Sequence, residues 1–148
     1  MKAIVVGCGR VGSKVAKKLV KSGWDVTAID ENDEALARLG DRWAGGFVVG
    51  HGMDVEVLRR AGIEDADAVV VATNGDNTNI VVGQVAQKRF GIECTVVRIL
   101  DPARAELYST LGLRVVCPTS NAIEVLSEAV KSCAIRPQRP ARTELAAS

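Results

Sequence analysis

The stretch VVGCGRVGSKVAKKL, Val5 to Leu19, sets three glycines between an apolar run and an amphipathic one. Gly7, Gly9 and Gly12 spell G-x-G-x-x-G. Between a strand and a helix, that spacing builds a phosphate site. The first glycine permits the tight turn. The second lacks the Cβ that would hold a pyrophosphate away from the backbone, and the third lets the helix pack closely on the strand. The start of the helix then presents unpaired N–H groups and the positive end of its dipole. Between the glycines, Arg10, like Arg98 below, reads either as a cation for phosphate oxygens or as an ordinary surface residue, Cys8 reads as a small filler, and Val11 begins the apolar face of the helix.

Asp30 lies 18 residues beyond Gly12, close to the ~20-residue offset at which such sites place a ribose-binding acid. A carboxylate there accepts from the 2′- and 3′-hydroxyls and repels a 2′-phosphate, which favours NAD, ATP or ADP over NADP. Glu31 follows it directly. Three more polar groups belong at the carboxyl ends of strands. GHGMD, Gly50 to Asp54, places His51, Gly52, Met53 and Asp54 beside the adenine. TNGDNTN, Thr73 to Asn79, places Thr73, Asn74, Gly75 and Asn77 near the phosphates or the second half of a dinucleotide. Arg98 offers another cation. His51 is the one histidine and reads as an adenine-side or solvent-facing residue rather than a catalytic base. Asp76 is a lone acid in its loop and reads as solvated rather than as a metal ligand.

These residues need a frame that brings them to one crevice. Short apolar runs recur at Ala3–Val6, Val26–Ile29, Gly46–Val49, Ala68–Ala72, Thr95–Arg98 and Arg114–Val116. They do not alternate with polar residues, as expected of parallel strands covered on both faces. Helical patterns separate them. Val11, Val15 and Leu19 share one face, and Gly23 ends that helix. Further helices are expected from Asp33 to Leu39, from a cap at Asp54 to Gly62, around Ile80 to Ala86, and from Pro102 to Leu111. The last is expected from Asn121 to Lys131, with Glu124 completing a capping-box pattern. The fold class is therefore α/β: a Rossmann-like, doubly wound, six-stranded parallel sheet of order 3-2-1-4-5-6 in three αβα layers. Residues 1–131 form the nucleotide-binding domain in this reading, and 132–148 a tail or linker expected to be disordered, with two prolines and little apolar content.

Composition narrows the class. The chain has 148 residues, 47% of them hydrophobic and 25% charged, with formal net charge +1, as in a soluble domain with one full core. Neither a nucleic-acid surface nor a polybasic membrane anchor is indicated. No apolar run approaches the ~20 residues that span a bilayer, and the first residues read as a strand rather than a signal peptide. A cytoplasmic chain without membrane insertion is expected. The four cysteines, Cys8, Cys94, Cys117 and Cys133, are widely spaced and show no C-x-x-C. Neither a metal site nor a disulfide framework is expected.

Taken together, the glycine stretch, Asp30, GHGMDVEVLRRAGIEDADAVVVATNGDNTNI and VVRILDP resemble the RCK/KTN nucleotide-binding domain, of the TrkA N-terminal type, found in Trk/Ktr potassium uptake systems. The resemblance covers about residues 1–131. It implies a regulator peripheral to the inner face of the cell membrane. Such a domain forms dimers, and rings of dimers, beneath a membrane-embedded potassium transporter subunit. It binds NAD(H) or ATP/ADP and controls potassium flux without catalysis. By the same resemblance, Arg10 contacts phosphate, Asp54 and its loop flank the adenine, and Asn74 with the residues after it lies near the second nucleotide half. Arg98 lies near the terminal phosphates or the dimer interface. The chain departs from the family where His51 stands in place of an acid. Many members continue into a second, C-terminal lobe, and this sequence is either a piece cut before that lobe or a minimal subunit.

Two other readings share the sheet. An NAD-dependent dehydrogenase would need a substrate pocket and an acid–base group by the nicotinamide. Only about 30 residues follow the sixth strand, and they hold no histidine, so the alternative that stays open is the coenzyme-binding domain of such a dehydrogenase. A methyltransferase also places an acid after strand two, but G-x-G-x-x-G opening a helix suits a pyrophosphate better than a methionine tail.

Overall fold

Val-, Ile- and Ala-rich runs become the strands β1 (Lys2–Val6), β2 (Asp25–Asp30), β3 (Gly46–Val49), β4 (Ala68–Val71), β5 (Cys94–Arg98) and β6 (Arg114–Val116). This is a computed structural model, and it describes residues 1–133. The strands form one parallel sheet of order β3-β2-β1-β4-β5-β6. The helices are α1 (Gly12–Lys21), α2 (Leu36–Leu39), α3 (Val55–Arg60), α4 (Asp76–Lys88), α5 (Pro102–Thr110) and α6 (Pro118–Cys133).

Both faces of the sheet are covered, which is why the strands do not alternate. On β1, Ile4 and Val6 join Ile29, Leu58, Val69, Val71 and Val82 on one side. Ala3 and Val5 join Ala16, Val26, Ala28 and Leu39 on the other. Each fully buried Val, Leu or Ile contributes about 1.5–3 kcal/mol, so the two layers hold the central strands from both sides. Register then levels the strand ends. Val6 pairs with Ile29 of β2 and with Val71 of β4, and Asp30 pairs with Val49 of β3. The turns after β1, β2, β3 and β4 therefore open at one edge.

Three expectations about helices change. The second helix is a 3-10 turn, Asp33–Ala35, followed by the single turn of α2. Asn32 starts it by accepting from the Glu34 N–H at 2.9 Å. The sixth helix begins at Pro118, not Asn121. Proline fits the first helical position because its missing N–H would have no intrahelical partner there. The Asn121 N–H already closes onto the Cys117 carbonyl at 3.1 Å, so Asn121 and Glu124 lie inside the helix and form no capping box. At the far end, Ser132 and Cys133 belong to α6 rather than to a tail. The rest of the expected tail lies outside the described residues. No residue of α6 is buried, so packing on the sheet does not account for its apolar side chains.

Candidate functional site

The strand ends enclose a cleft of about 510 Å³. Of the residues expected at the site, Gly7, Gly9, Arg10, Val11, Asp30, Glu31, His51, Gly52, Thr73, Asn74 and Arg98 line it. Val6, Ile29 and Ala72 give it an apolar floor. Cys8, Gly12, Met53, Asp54, Gly75 and Asn77 stand outside its wall, and their interactions explain why.

The glycine loop divides into a part that holds the fold and a part that faces the cleft. Gly7 has φ +91°, and a Cβ there would meet the Thr73 nitrogen at 2.7 Å. Its N–H donates to the Ile29 carbonyl at 2.8 Å. A Cβ on Gly12 would lie 1.7 Å from the Gly7 oxygen. At Gly9 the same test finds open space, so nothing in the protein itself requires a glycine there. No side chain caps α1, because the N-cap residue is the apolar Val11; Ser13, inside the helix, donates its hydroxyl to the Gly9 carbonyl at 2.7 Å. The exposed Arg10 sits at this uncapped end. The amides that can meet an anion are therefore those from Gly9 onward, rather than all those of the glycine turn.

Asp30 has two duties. One carboxylate oxygen accepts from the Cys8 N–H at 2.7 Å and the other from the Asn32 N–H at 3.0 Å. Each oxygen has a second lone pair, so the group can hold the glycine turn and still accept from a ribose. Cys8 is fully buried behind the loop. Burial first, then Asp30, pushes its thiol up to about 12, with Arg38 acting in the opposite direction.

Across the cleft mouth, His51 Nε2 lies 3.8 Å from Glu31 Oε2, both side chains exposed. His51 Nδ1 accepts from the Met53 N–H at 3.2 Å, which leaves the proton of a neutral ring on Nε2, facing Glu31. Asp54 caps α3 by accepting from the Glu56 N–H at 2.9 Å. It is thus tied to its own helix. Gly52 packs so tightly that a Cβ would reach Val6 at 2.4 Å.

The loop Thr73 to Asn79 turns mostly inward. Asp76 accepts from the N–H groups of Leu100 and Asp101 at 2.8 and 3.0 Å. Asn77 accepts from Arg104, and Gly75 donates to Thr73 Oγ1 at 3.3 Å. This loop clasps the β5–α5 turn, and only Thr73, Asn74 and Thr78 reach the cleft. Arg98 does as well. Its Nη2 donates to the Thr73 carbonyl, and its Nε is buried without a hydrogen-bond partner. A buried, unpaired cationic donor beside a cleft suits an anionic ligand.

Sequence reasoning misses Arg38, Thr78 and Asn79. Arg38 lines the cleft from α2, eight residues past Asp30. Its signal is nearness in sequence to the ribose acid, where a cation bears on the 2′ position. Asn79 is fully buried. Its signal is an amide heading the apolar run Ile80–Val82, where a polar group must find partners. Among the described residues, no cluster of three or more His, Cys, Asp or Glu could hold a metal ion.

The TrkA-N domain family model matches residues 3–118. The chain belongs to the TrkA-N family. The Trk system potassium uptake protein TrkA of Streptomyces coelicolor is 44% identical over 113 residues, which are 76% of this chain and 51% of that protein. The chain thus spans about half the length of that relative. Among solved structures, the Kef C-terminal domain of Shewanella denitrificans in its AMP-bound form superposes with TM-score 0.78 at 20% identity, over 92% of this chain and 83% of that one. The GsuK channel bound to NAD superposes at 0.76 and 22% identity, over 95% of this chain and 27% of that one. Bound to ADP it gives 0.75 at 22%, over 89% and 34%. At these identities the solved structures share the fold with this TrkA-N domain. Among the described residues, no helix is long and apolar enough to cross a membrane.

Proposed function

We propose that this TrkA-N domain, about residues 1–131, binds an adenine nucleotide, NAD(H) or ATP/ADP, and so regulates potassium flux through a membrane-embedded transporter subunit. In this reading it works as a homo-oligomer, a dimer or ring of dimers, at the inner face of the cell membrane. It senses the nucleotide and does not turn it over. The potassium uptake role named for the Streptomyces relative, and the AMP, NAD and ADP named for proteins of like fold, support the reading.

One observation carries it: a single cleft is lined by both of the chemistries a nucleotide needs. Asp30 and Glu31 line it as acceptors for sugar hydroxyls. The uncapped start of α1, Arg10 and Arg98 line it as donors and positive charge for phosphates. The open space at Gly9 fits close approach of a pyrophosphate. NAD and ATP share adenosine and differ beyond it, so Arg10, Asn74 and Arg98 are the residues that tell them apart.

Regulation requires the ligands to prefer different conformations. Moving a population from 1:99 to 99:1 needs about 5.5 kcal/mol of differential affinity. Native mass spectrometry of the freshly purified protein reads both the oligomer and any retained nucleotide. Calorimetric titration with adenosine, ADP, ATP, NAD and NADH is the companion test, and Arg98→Ala is expected to compress the differences among ligands more than it weakens adenosine. No binding of any adenine ligand at millimolar concentration would refute the proposal.

A further inference from the structure

We propose that Asn79 is a positioning residue for the phosphate-binding side chains of the cleft: it fixes Thr73 and Arg98 together, and so sets how strongly the site prefers phosphorylated ligands. The inference rests on the cleft being a nucleotide site and names the device behind its phosphate preference.

Asn79 lies in the first turn of α4 and is fully buried. Its Oδ1 accepts from the Thr73 N–H at 3.0 Å and from Thr73 Oγ1 at 2.5 Å. Its Nδ2 donates to the Thr73 carbonyl at 3.0 Å and to the Arg98 carbonyl at 2.9 Å. Two acceptor lone pairs and two N–H donors are the whole capacity of an amide side chain, and all are used. They join the end of β4 to the end of β5. The Thr73 carbonyl also takes the Arg98 guanidinium. Asn79 thus sets both the backbone from which Arg98 projects and the oxygen that orients its side chain.

That orientation leaves Arg98 Nε buried and unpartnered beside the cleft. Charge-assisted hydrogen bonds to phosphate depend on the angle at which the guanidinium is presented. Loss of the amide frees Thr73, and the guanidinium loses its aim while keeping its charge. An Asn that merely tied two strands would affect every ligand alike. An Asn that aims Arg98 affects phosphate selectively.

The test is titration of adenosine, ADP and ATP into the wild type, Asn79→Ala, Arg98→Ala and the double variant. Asn79→Ala should cut the ATP-to-adenosine affinity ratio about tenfold, with adenosine affinity within about threefold of wild type. The double variant should lose no more of that ratio than the larger single effect, as for residues acting through one contact. Thr73→Val removes the hydroxyl's bonds to Asn79 and to the Gly75 N–H and spares the backbone ones to Asn79, so it serves if Asn79→Ala does not fold. It should lower the same ratio severalfold, with rescue by Thr73→Ser. Equal losses for adenosine and ATP, an unchanged ratio, or additive effects of the two substitutions would overturn the role of Asn79. A wild type that binds none of the three ligands would overturn the nucleotide reading itself.

Discussion

Gly9 and Gly12 sit three residues apart in one loop and answer to different constraints. A Cβ on Gly12 would collide with the Gly7 carbonyl, whereas one on Gly9 would project into open space. Gly12→Ala should destabilise the protein by about 3 kcal/mol or more, because rigid backbone must move to admit the methyl. Gly9→Ala should unfold at the wild-type temperature and bind ADP at least about tenfold more weakly. Thermal unfolding with and without ADP separates the two. Cys8 makes a prediction with a definite sign. Its thiol keeps its proton up to about 12 in the fold, against an ordinary value of 9.0. The unfolded chain releases that proton first, so the contribution of Cys8 is full below pH 9 and is lost as pH rises toward 12. At pH 8, iodoacetamide should label the exposed Cys133 and leave Cys8 unmodified, as read by peptide mass spectrometry.

Element by element, the caps are local and testable. Asp101 begins α5 by accepting from the Arg104 N–H at 2.8 Å. Asp101→Ala should cost about 1 kcal/mol in chemical denaturation. Asp76 does more, since its carboxylate takes two N–H groups from the β5–α5 turn. Asp76→Ala removes both bonds at exposed N–H groups that water can then reach, and should cost about 1–2 kcal/mol. Features written in consecutive residues are legible in the sequence: the strand runs, the glycine stops, the Asp54 cap and the strand order. What stays illegible depends on distant partners. Asn79 reads as one more polar residue of a ligand loop, because its role lies in hydrogen bonds to Thr73 and Arg98. Asp76 reads as solvated because Leu100 and Asp101 are 24 and 25 residues away. The start of α6 is misread because Asn121 and Glu124 imitate a cap, while Pro118 already fixes the first turn.

Across the whole molecule, two surfaces remain to be satisfied. On α6, Ile123, Leu126 and Val130 are 55%, 66% and 70% exposed, spaced along one helical face. Leu107 of α5 and Leu111 just after it are also exposed, and the homo-oligomer proposed above would cover such side chains. Leu126→Glu with Val130→Glu should shift the sedimentation coefficient from dimer to monomer and leave ADP affinity within about twofold. The cleft is the other surface. A ligand at 100 times its Kd adds about 2.7 kcal/mol to the folded state, so Tm should climb with ADP or NADH concentration in the wild type and climb less in Gly9→Ala at the same concentrations. Asp30, finally, fastens the turn after β1 while it presents its charge to the cleft. A descendant that came to prefer 2′-phosphorylated coenzymes would therefore need two changes at once. It must remove a repulsion and install a substitute anchor for the Cys8 amide, and a single replacement of this acid leads first to a loosened turn rather than to a new specificity.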